Sequence, residues 1–263
     1  MAYASAQQPA PDLGRALAEA AARAVAKGGL DLDSLASLGW AQALADDGRN
    51  GVRLAEAVAA AAQRFGARAA APNARAASAD GLARLWQWQL WVTAELGQPP
   101  LALPDALLSR GRDALIELER APLAEVPPAE GAPFAARAAA EPAGTQRRRL
   151  ARCMFALTSL DVTHAPEQLL EAGYHIDLAL PATAGAPRVA LLLGTPEQYE
   201  PMARPDETHA PTPHTRLRWR QLGAMGWRVM ALPFFEWDRL DGTEARRDYI
   251  ARKLDQLRPA ERY

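Results

Sequence analysis

The sequence has little cysteine and no long apolar run. One cysteine, Cys153, among 263 residues excludes an intramolecular disulfide framework and a cysteine-based zinc site. No segment approaches the ~20 consecutive apolar residues of a membrane-spanning helix, so we expect no membrane partner. Thirty basic and 31 acidic residues give a formal net charge of −1, so no overall field marks a binder of nucleic acid. If the protein binds a nucleic acid, the contact must use a local concentration of positive charge.

Lysine is also scarce, and Lys27 and Lys253 are the only two among the 30 basic residues. The positive charge is therefore carried almost entirely by arginine, which suits planar stacking and bidentate contacts with phosphate. A GC-rich genome also produces an excess of arginine over lysine. Two explanations of the excess therefore stay open, a role in binding anions and the base composition of the genome.

The motifs of the common enzyme classes are absent. The chain has no Gly-rich phosphate loop of Walker or Rossmann spacing, no G-x-S-x-G and no H-E-x-x-H. Its four histidines are scattered, and the spacing of His209 and His214 in a proline-rich loop gives no fixed metal geometry. We therefore expect no cofactor and no bound metal.

Composition divides the chain into three regions. Residues 1–120 have helical patterns, residues 121–144 contain five prolines, and residues 145–263 mix helical and strand patterns. Prolines at this density favour a linker. The sequence predicts a two-part α+β protein, with an N-terminal α-helical repeat segment and a C-terminal α/β module.

The N-terminal region predicts five helices from its apolar periodicity and from capping residues such as Ser78, which is expected to cap the fourth helix. We expect them at about 12–28, from about 33, at 51–66, at 78–97 and from 104. LAEAAARAVAKG from Leu17 matches LAEAVAAAAQRFG from Leu54, and DSLASLGW from Asp33 matches DGLARLWQW from Asp80. Helix pairs that recur at about 35–45 residues are typical of an α-solenoid. Helices packed without repetition are the alternative.

The C-terminal region predicts the order α-β-β-α-β-α. The elements are expected from Thr145, at 173–180, at 188–193, at 213–225, from 227 and at 242–257. The apolar run at 188–193 is typical of a strand buried on both faces. A strand that contains Asp177, a central strand, a helix and a further strand resemble the PD-(D/E)xK nuclease fold.

Four segments of this region share a longer pattern. They are GYHIDLALP from Gly173, VALLLGTPEQY from Val189, TRLRWRQLGAMGWRVMALPFFEW from Thr215 and YIARKL from Tyr249. In order and spacing they resemble the RAP domain, over roughly residues 150–257. The most specific part is G-W-x-V-x-x-x-P-x-x-E-W at residues 226–237, whose tryptophans we expect in the core.

The resemblance implies a function. RAP domains are RNA-binding modules at the C-terminus of organellar RNA-processing proteins, after helical repeats of the octotricopeptide type or in FAST-kinase-like proteins. It implies non-catalytic RNA binding in RNA processing, stability or translation, with organellar transcripts or rRNA and ribonucleoprotein proteins as partners. The mitochondrial matrix is the favoured location, and the chloroplast stroma is the alternative.

The central strand departs from the family pattern. Family members commonly read A-I-E-V-D-G-P-S-H-F, whereas this chain reads ALLLGTPEQY and has Leu192 and Gly194 in place of acids. Leucine cannot ligate a cation, so the metal site of a PD-(D/E)xK nuclease lacks its central ligand. We expect no enzyme activity. A divergent metal-dependent RNA endonuclease that uses Asp177 and Glu197 is the alternative.

RNA binding survives this loss, because it requires charge and stacking rather than a metal. The chain segment from 145 to 263 has 17 basic and 15 acidic residues, a net charge of only +2. This small excess keeps a second alternative open, a protein–protein scaffold within a ribonucleoprotein. The predicted RNA-binding residues are Arg216, Arg218, Trp219 and Arg220 on one helix, and Arg147, Arg148 and Arg149 at the start of another.

Overall fold

The protein is described by a computed structural model that covers residues 20, 23, 31–45, 77–101, 103–120, 144–183, 187–200 and 209–257. Apart from Ala20 and Arg23, the helix predicted at about 12–28 lies outside these residues, as do the helix predicted at 51–66 and nearly all of the linker. The helical repeat therefore stays a prediction.

Contacts divide the chain into two compact units. The first contains Met1–Glu119, Ala172–Tyr174 and Arg216–Gln221. The second contains Arg120–Glu171, His175–Thr215 and Leu222–Tyr263. The domain limits at 120 and 144 stay predictions. The first unit also includes two short segments from the C-terminal region.

Three helices build the described part of the first unit: α1 (Leu32–Ala45), α2 (Ala79–Leu90) and α3 (Asp105–Arg120). The Oγ of Ser78 accepts a hydrogen bond from the N–H of Gly81 at 3.0 Å, which confirms the predicted cap of α2. α2 continues into a π-helical turn at Trp91–Glu95.

The core of this unit lies between α1 and α2. Trp88 and Trp91 are fully buried and pack with Leu35 and Leu85. A Cβ atom on Gly39 would lie 2.2 Å from the ring of Trp88. Glycine at this position therefore allows α1 to approach the indole of α2.

Two short segments from later in the chain complete this unit through a buried polar network. The Gln87 amide donates to the Tyr174 hydroxyl at 3.1 Å, and that hydroxyl donates to the Gln221 side chain. The Gln221 amide donates to the carbonyl oxygen of Gln87 at 2.7 Å. Burial raises the pKa of Tyr174 well above its usual value, so the hydroxyl stays protonated and able to donate.

The chain after residue 144 has a mixed α/β structure with a four-stranded sheet of order β1-β2-β3-β4. β1 and β2 pair antiparallel, as do β2 and β3, whereas β3 and β4 pair in parallel. The elements are α4 (Thr145–Ser159), β1 (Ala165–Leu169), β2 (His175–Leu180), β3 (Val189–Leu193), α5 (Pro213–Ala224), β4 (Arg228–Leu232), α6 (Phe234–Trp237) and α7 (Gly242–Leu257).

The second core lies where α4 and α7 pack on this sheet. β3 is buried along its whole length, as its apolar run predicts for a central strand. Leu191 pairs with Leu178 of β2 on one side and with Met230 of β4 on the other. Cys153 of α4 and Ile250 of α7 are fully buried in the same cluster.

The predicted order α-β-β-α-β-α was wrong in two places, since the structure adds β1 and α6. All five residues of β1, with the sequence APEQL, are exposed, so no apolar alternation marks it as a strand. It forms because its backbone pairs with β2. None of the described helices is both long and apolar enough to span a bilayer.

Candidate nucleic-acid interface

Two of the arginines predicted to contact RNA on α5 form ion pairs. Arg218 Nη2 lies 3.1 Å from Glu119 Oε2, and these side chains are 12% and 7% exposed. Arg220 Nε donates to Glu95 Oε2 at 2.9 Å, and its Nη2 donates to the carbonyl oxygen of Ala43. A buried charge without a partner is costly. Moving either arginine to a phosphate would break an ion pair that has little access to water.

The other predicted residues of α5, Arg216 and Trp219, are half-buried. Between them Leu217 is fully buried in the core of the first unit. RNA binding by this helix stays a prediction, and the ion pairs of Arg218 and Arg220 argue against a direct role for those two.

The arginines at the start of α4 divide into a buried and an exposed set. Arg149 is 4% exposed and donates two hydrogen bonds to the carboxylate of Asp238, one of them from Nε at 3.0 Å. Arg147 and Arg148 are exposed. Arg148 Nη2 donates to Thr145 Oγ1 at 3.1 Å. Arg149 thus has a structural ion pair, whereas Arg148 presents its charge to solvent.

An open depression of about 300 Å³ is lined by Thr145, Arg148, Arg149, Arg152 and Asp238. Arg149 and Asp238 neutralise each other, and Arg152 forms no ion pair with any residue that the structure describes. Two positive charges are therefore in excess. Guanidinium groups bind phosphate oxygens in bidentate geometry, so the basic depression fits a phosphate group.

Asp177 and Glu197, the acids of the nuclease alternative, have different surroundings. Asp177 on β2 is 9% exposed, and its carboxylate accepts the backbone N–H of Leu193 at 2.9 Å. The Gln146 amide donates to the carbonyl oxygen of Leu193 at 3.1 Å. Glu197 is exposed in a 3₁₀ turn. Within the described ranges, no three His, Cys, Asp or Glu side chains come together as a potential metal site.

Cys153 does not offer a nucleophile. It is fully buried in the second core. Burial raises the pKa of its thiol, and the charge of Asp177 raises it further. The reactive form of cysteine is the thiolate, so this side chain acts as a small apolar residue at neutral pH.

The tryptophans of the segment at 226–237 lie in the interior, as the sequence predicts. Trp237 is 1% exposed and Trp227 is 8% exposed. The Arg188 guanidinium lies over the Trp227 ring, 4.5 Å from its centroid. A cation in this position is attracted by the π-system, and it covers the ring from outside.

Glu236, in the same segment, ties α6 to α7. Its Oε2 accepts a hydrogen bond from the Tyr249 hydroxyl at 2.6 Å and lies 3.1 Å from Lys253 Nζ. Burial by itself would raise the pKa of Glu236, but the two hydrogen bonds and the charge of Lys253 bring that pKa below its usual value. The carboxylate is therefore ionised at neutral pH and holds α6 against α7.

Aromatic rings fill the end of the parallel strand pair. His209 stacks on Phe235 with 4.2 Å between centroids, and Tyr199 meets the same ring edge-on at 5.3 Å. A Cβ atom on Gly194 would lie 2.8 Å from the Tyr199 ring. Burial and the charge of Glu236 raise the pKa of Tyr199 to about 12. The position where the family carries a second acid is thus filled by an aromatic ring.

Sequence reasoning missed Arg152 as a site residue. Its spacing of four from Arg148 on a predicted helix was a readable signal, because residues i and i+4 share a helix face. The role of Asp238 was not readable. It lies 89 residues from Arg149, and only the fold brings the two together.

The family model of the RAP domain matches residues 196–253, in the C-terminal part of the chain, which confirms the resemblance found in the sequence. RAP domains are generally associated with RNA binding. No curated protein matches the chain. The matched segment contains α5, β4 and α6 but not α4, so Arg148 and Arg152 lie outside it.

The Arg218–Glu119 ion pair predicts a large loss of stability for Arg218→Ala. Removing one partner of a buried pair costs about 3 kcal/mol or more, because the remaining charge loses its opposite charge at a site with little access to water. The exposed Arg152→Ala serves as control and should change the free energy of unfolding by less than about 0.5 kcal/mol. Urea denaturation followed by circular dichroism measures both. Equal, small effects would contradict a structural role for Arg218.

The lowered pKa of Glu236 predicts a stability effect that depends on pH. The usual value is 4.5, so the stabilisation is complete above it and is lost as the pH falls through the lower folded-state pKa. Glu236→Gln should lower the melting temperature at pH 7 and lower it less at pH 3. Thermal melts of both proteins at the two pH values measure this difference. An equal effect at both pH values would contradict it.

Proposed function

We propose that the protein binds RNA through the basic depression at the start of α4 and does not cleave it. The observation that supports this most directly is the excess of positive charge at Arg148 and Arg152 in an open depression. The match of residues 196–253 to a family associated with RNA binding supports the same function. Arg147, exposed one residue from Arg148, extends this basic surface.

The mechanism is neutralisation of backbone phosphates. Each exposed guanidinium offers several N–H donors in a plane, which match two oxygens of one phosphate. Each such contact releases condensed counterions from the RNA, so affinity falls with the logarithm of the salt concentration. Arg149 contributes indirectly, since its ion pair fixes Asp238 at the wall of the depression.

We place this binding in organellar RNA processing, stability or translation, in the mitochondrial matrix or, as the alternative, in the chloroplast stroma. Ribonucleoprotein proteins are the proposed further partners. The support is the resemblance to organellar RAP proteins. The geometry of the depression supports the chemistry of RNA binding and is neutral about the compartment.

The non-catalytic role is supported by the residues around β3. The succession of β2 with Asp177, the central β3, α5 and β4 supports a PD-(D/E)xK-like arrangement as a resemblance of fold. Fold resemblance does not imply activity. Leu192 is 3% exposed where the family has an acid, and the carboxylate of Asp177 accepts a backbone N–H.

A salt titration tests the RNA-binding proposal. Fluorescence anisotropy of a labelled single-stranded RNA should show binding by the full chain that weakens with salt. The double substitution Arg148→Ala/Arg152→Ala should weaken binding and reduce the slope of log affinity against log salt by about 0.7 if the two guanidinium groups share one phosphate, and by about 1.4 if each contacts its own, because each phosphate contact on a single strand contributes about 0.7.

The matched control removes the same charge from two other exposed arginines, by Arg228→Ala/Arg252→Ala, and should leave the slope nearly unchanged. Absence of binding by the wild-type protein at low salt would contradict the proposal and favour the protein–protein scaffold. Equal loss in both double variants would show that overall charge, rather than the depression, governs binding.

A cleavage assay tests the non-catalytic part of the proposal. Labelled RNA incubated with the protein and Mg²⁺ or Mn²⁺ should stay as intact as RNA incubated with the protein and EDTA. The nuclease alternative requires cleavage that depends on the divalent cation and disappears in Asp177→Ala. Glu197→Ala, which removes the second candidate acid, should behave in the same way under that alternative.

A further inference from the structure

Phe155 is the most exposed large hydrophobic side chain among the described residues. It is 62% exposed, compared with 43% for Leu118 and 39% for Leu169. It makes no ring contact with any residue that the structure describes. A single exposed apolar side chain is common on protein surfaces and by itself indicates nothing. The exposure of Phe155 becomes informative because Phe155 lies next to the basic depression on the same helix.

Phe155 lies on the same face of α4 as the unpaired arginines. Arg148, Arg152 and Phe155 are at positions i, i+4 and i+7, which fall within about 60° of one another around a helix of 3.6 residues per turn. All three are exposed, whereas Cys153 on the inner face and Arg149 at the edge between the two faces are buried. These three side chains form an exposed stripe along α4 that is about 10 Å long. This length equals about three steps of a stacked strand at ~3.4 Å each.

The charges of this stripe favour an anion at one end. Like charges at i and i+4 disfavour each other on a helix, and cations near a helix N-terminus also oppose the helix dipole. Arg148 and Arg152 meet the first condition, and Arg148 lies close to the start of α4. A bound phosphate relieves both effects, because it supplies negative charge between the two guanidinium groups.

We infer that an unpaired nucleotide of RNA binds along this stripe, with its phosphate in the basic depression and its base stacked on Phe155. This inference rests on the proposed function and adds the form of RNA and the stacking residue. A positive groove beside an exposed aromatic ring is the arrangement that binds single strands. A duplex keeps its base faces inside the stack, where Phe155 cannot reach them.

Anisotropy titrations of the full chain test the stacking role. The probes are labelled single-stranded oligouridylate and an RNA duplex of equal length. Phe155→Ala should weaken oligouridylate binding between about 5-fold and 150-fold, while the salt slope stays at the wild-type value because no phosphate contact is lost. Phe155→Tyr, which keeps an aromatic face, should bind nearly as the wild type does.

Phe155→Leu is the matched control for apolarity, because it keeps a large apolar side chain without a π-face. It should lose affinity as Phe155→Ala does. Since the side chain is 62% exposed, these variants should keep the wild-type melting temperature, which circular dichroism verifies. The duplex should bind more weakly than oligouridylate and with equal affinity to the wild type and Phe155→Ala.

Two results would overturn the inference while leaving RNA binding intact. One is equal affinity of the wild type, Phe155→Ala and Phe155→Leu for oligouridylate, and the other is tighter binding of the duplex. Competition by polyglutamate at the same concentrations as RNA would show instead that the stripe binds acidic protein segments. Absence of oligouridylate binding by the wild type would overturn the proposed function itself.

Discussion

The need to compensate buried charge determines which arginines of this protein are available to a ligand. The ion pairs of Arg218 with Glu119 and of Arg220 with Glu95 help to hold α5 in the first unit. The arginine clusters of α4 and α5 look alike in sequence. Burial distinguishes arginines that form structural ion pairs from arginines that are exposed to a ligand. Where a carboxylate already pairs with the guanidinium, a phosphate contact would first require that ion pair to be broken.

The same rule explains the two faces of α4. Its inner face packs Cys153 and Leu157 on the sheet, and Arg149 is buried at its edge because Asp238 compensates its charge. The outer face does not pack on the sheet, so Arg148 and Arg152 remain exposed. Attachment of one helix face to the sheet therefore orients the other face, and the basic depression is rigid to the extent that this packing is.

Several described residues of the RAP-like segment at 196–253 stabilise the fold. Trp227 and Trp237 are buried, Glu236 ties two helices together, and Tyr199 fills the space that Gly194 leaves. Local patterns sufficed to predict the Ser78 cap and the buried β3, because a helix cap and a buried strand each depend on residue types within a few positions of one another. β1 and the pairing of Arg149 with Asp238 were not predictable, since backbone pairing and contacts across 89 residues leave no local pattern.

The central claim is that RNA contacts α4 rather than α5, and photocrosslinking of the full chain tests it most directly. RNA that contains 4-thiouridine is irradiated with the protein, and crosslinked peptides are identified by mass spectrometry. The account predicts crosslinks in peptides that contain Phe155 or its neighbours on α4. Crosslinks confined to the segment around Trp219 on α5 would contradict it.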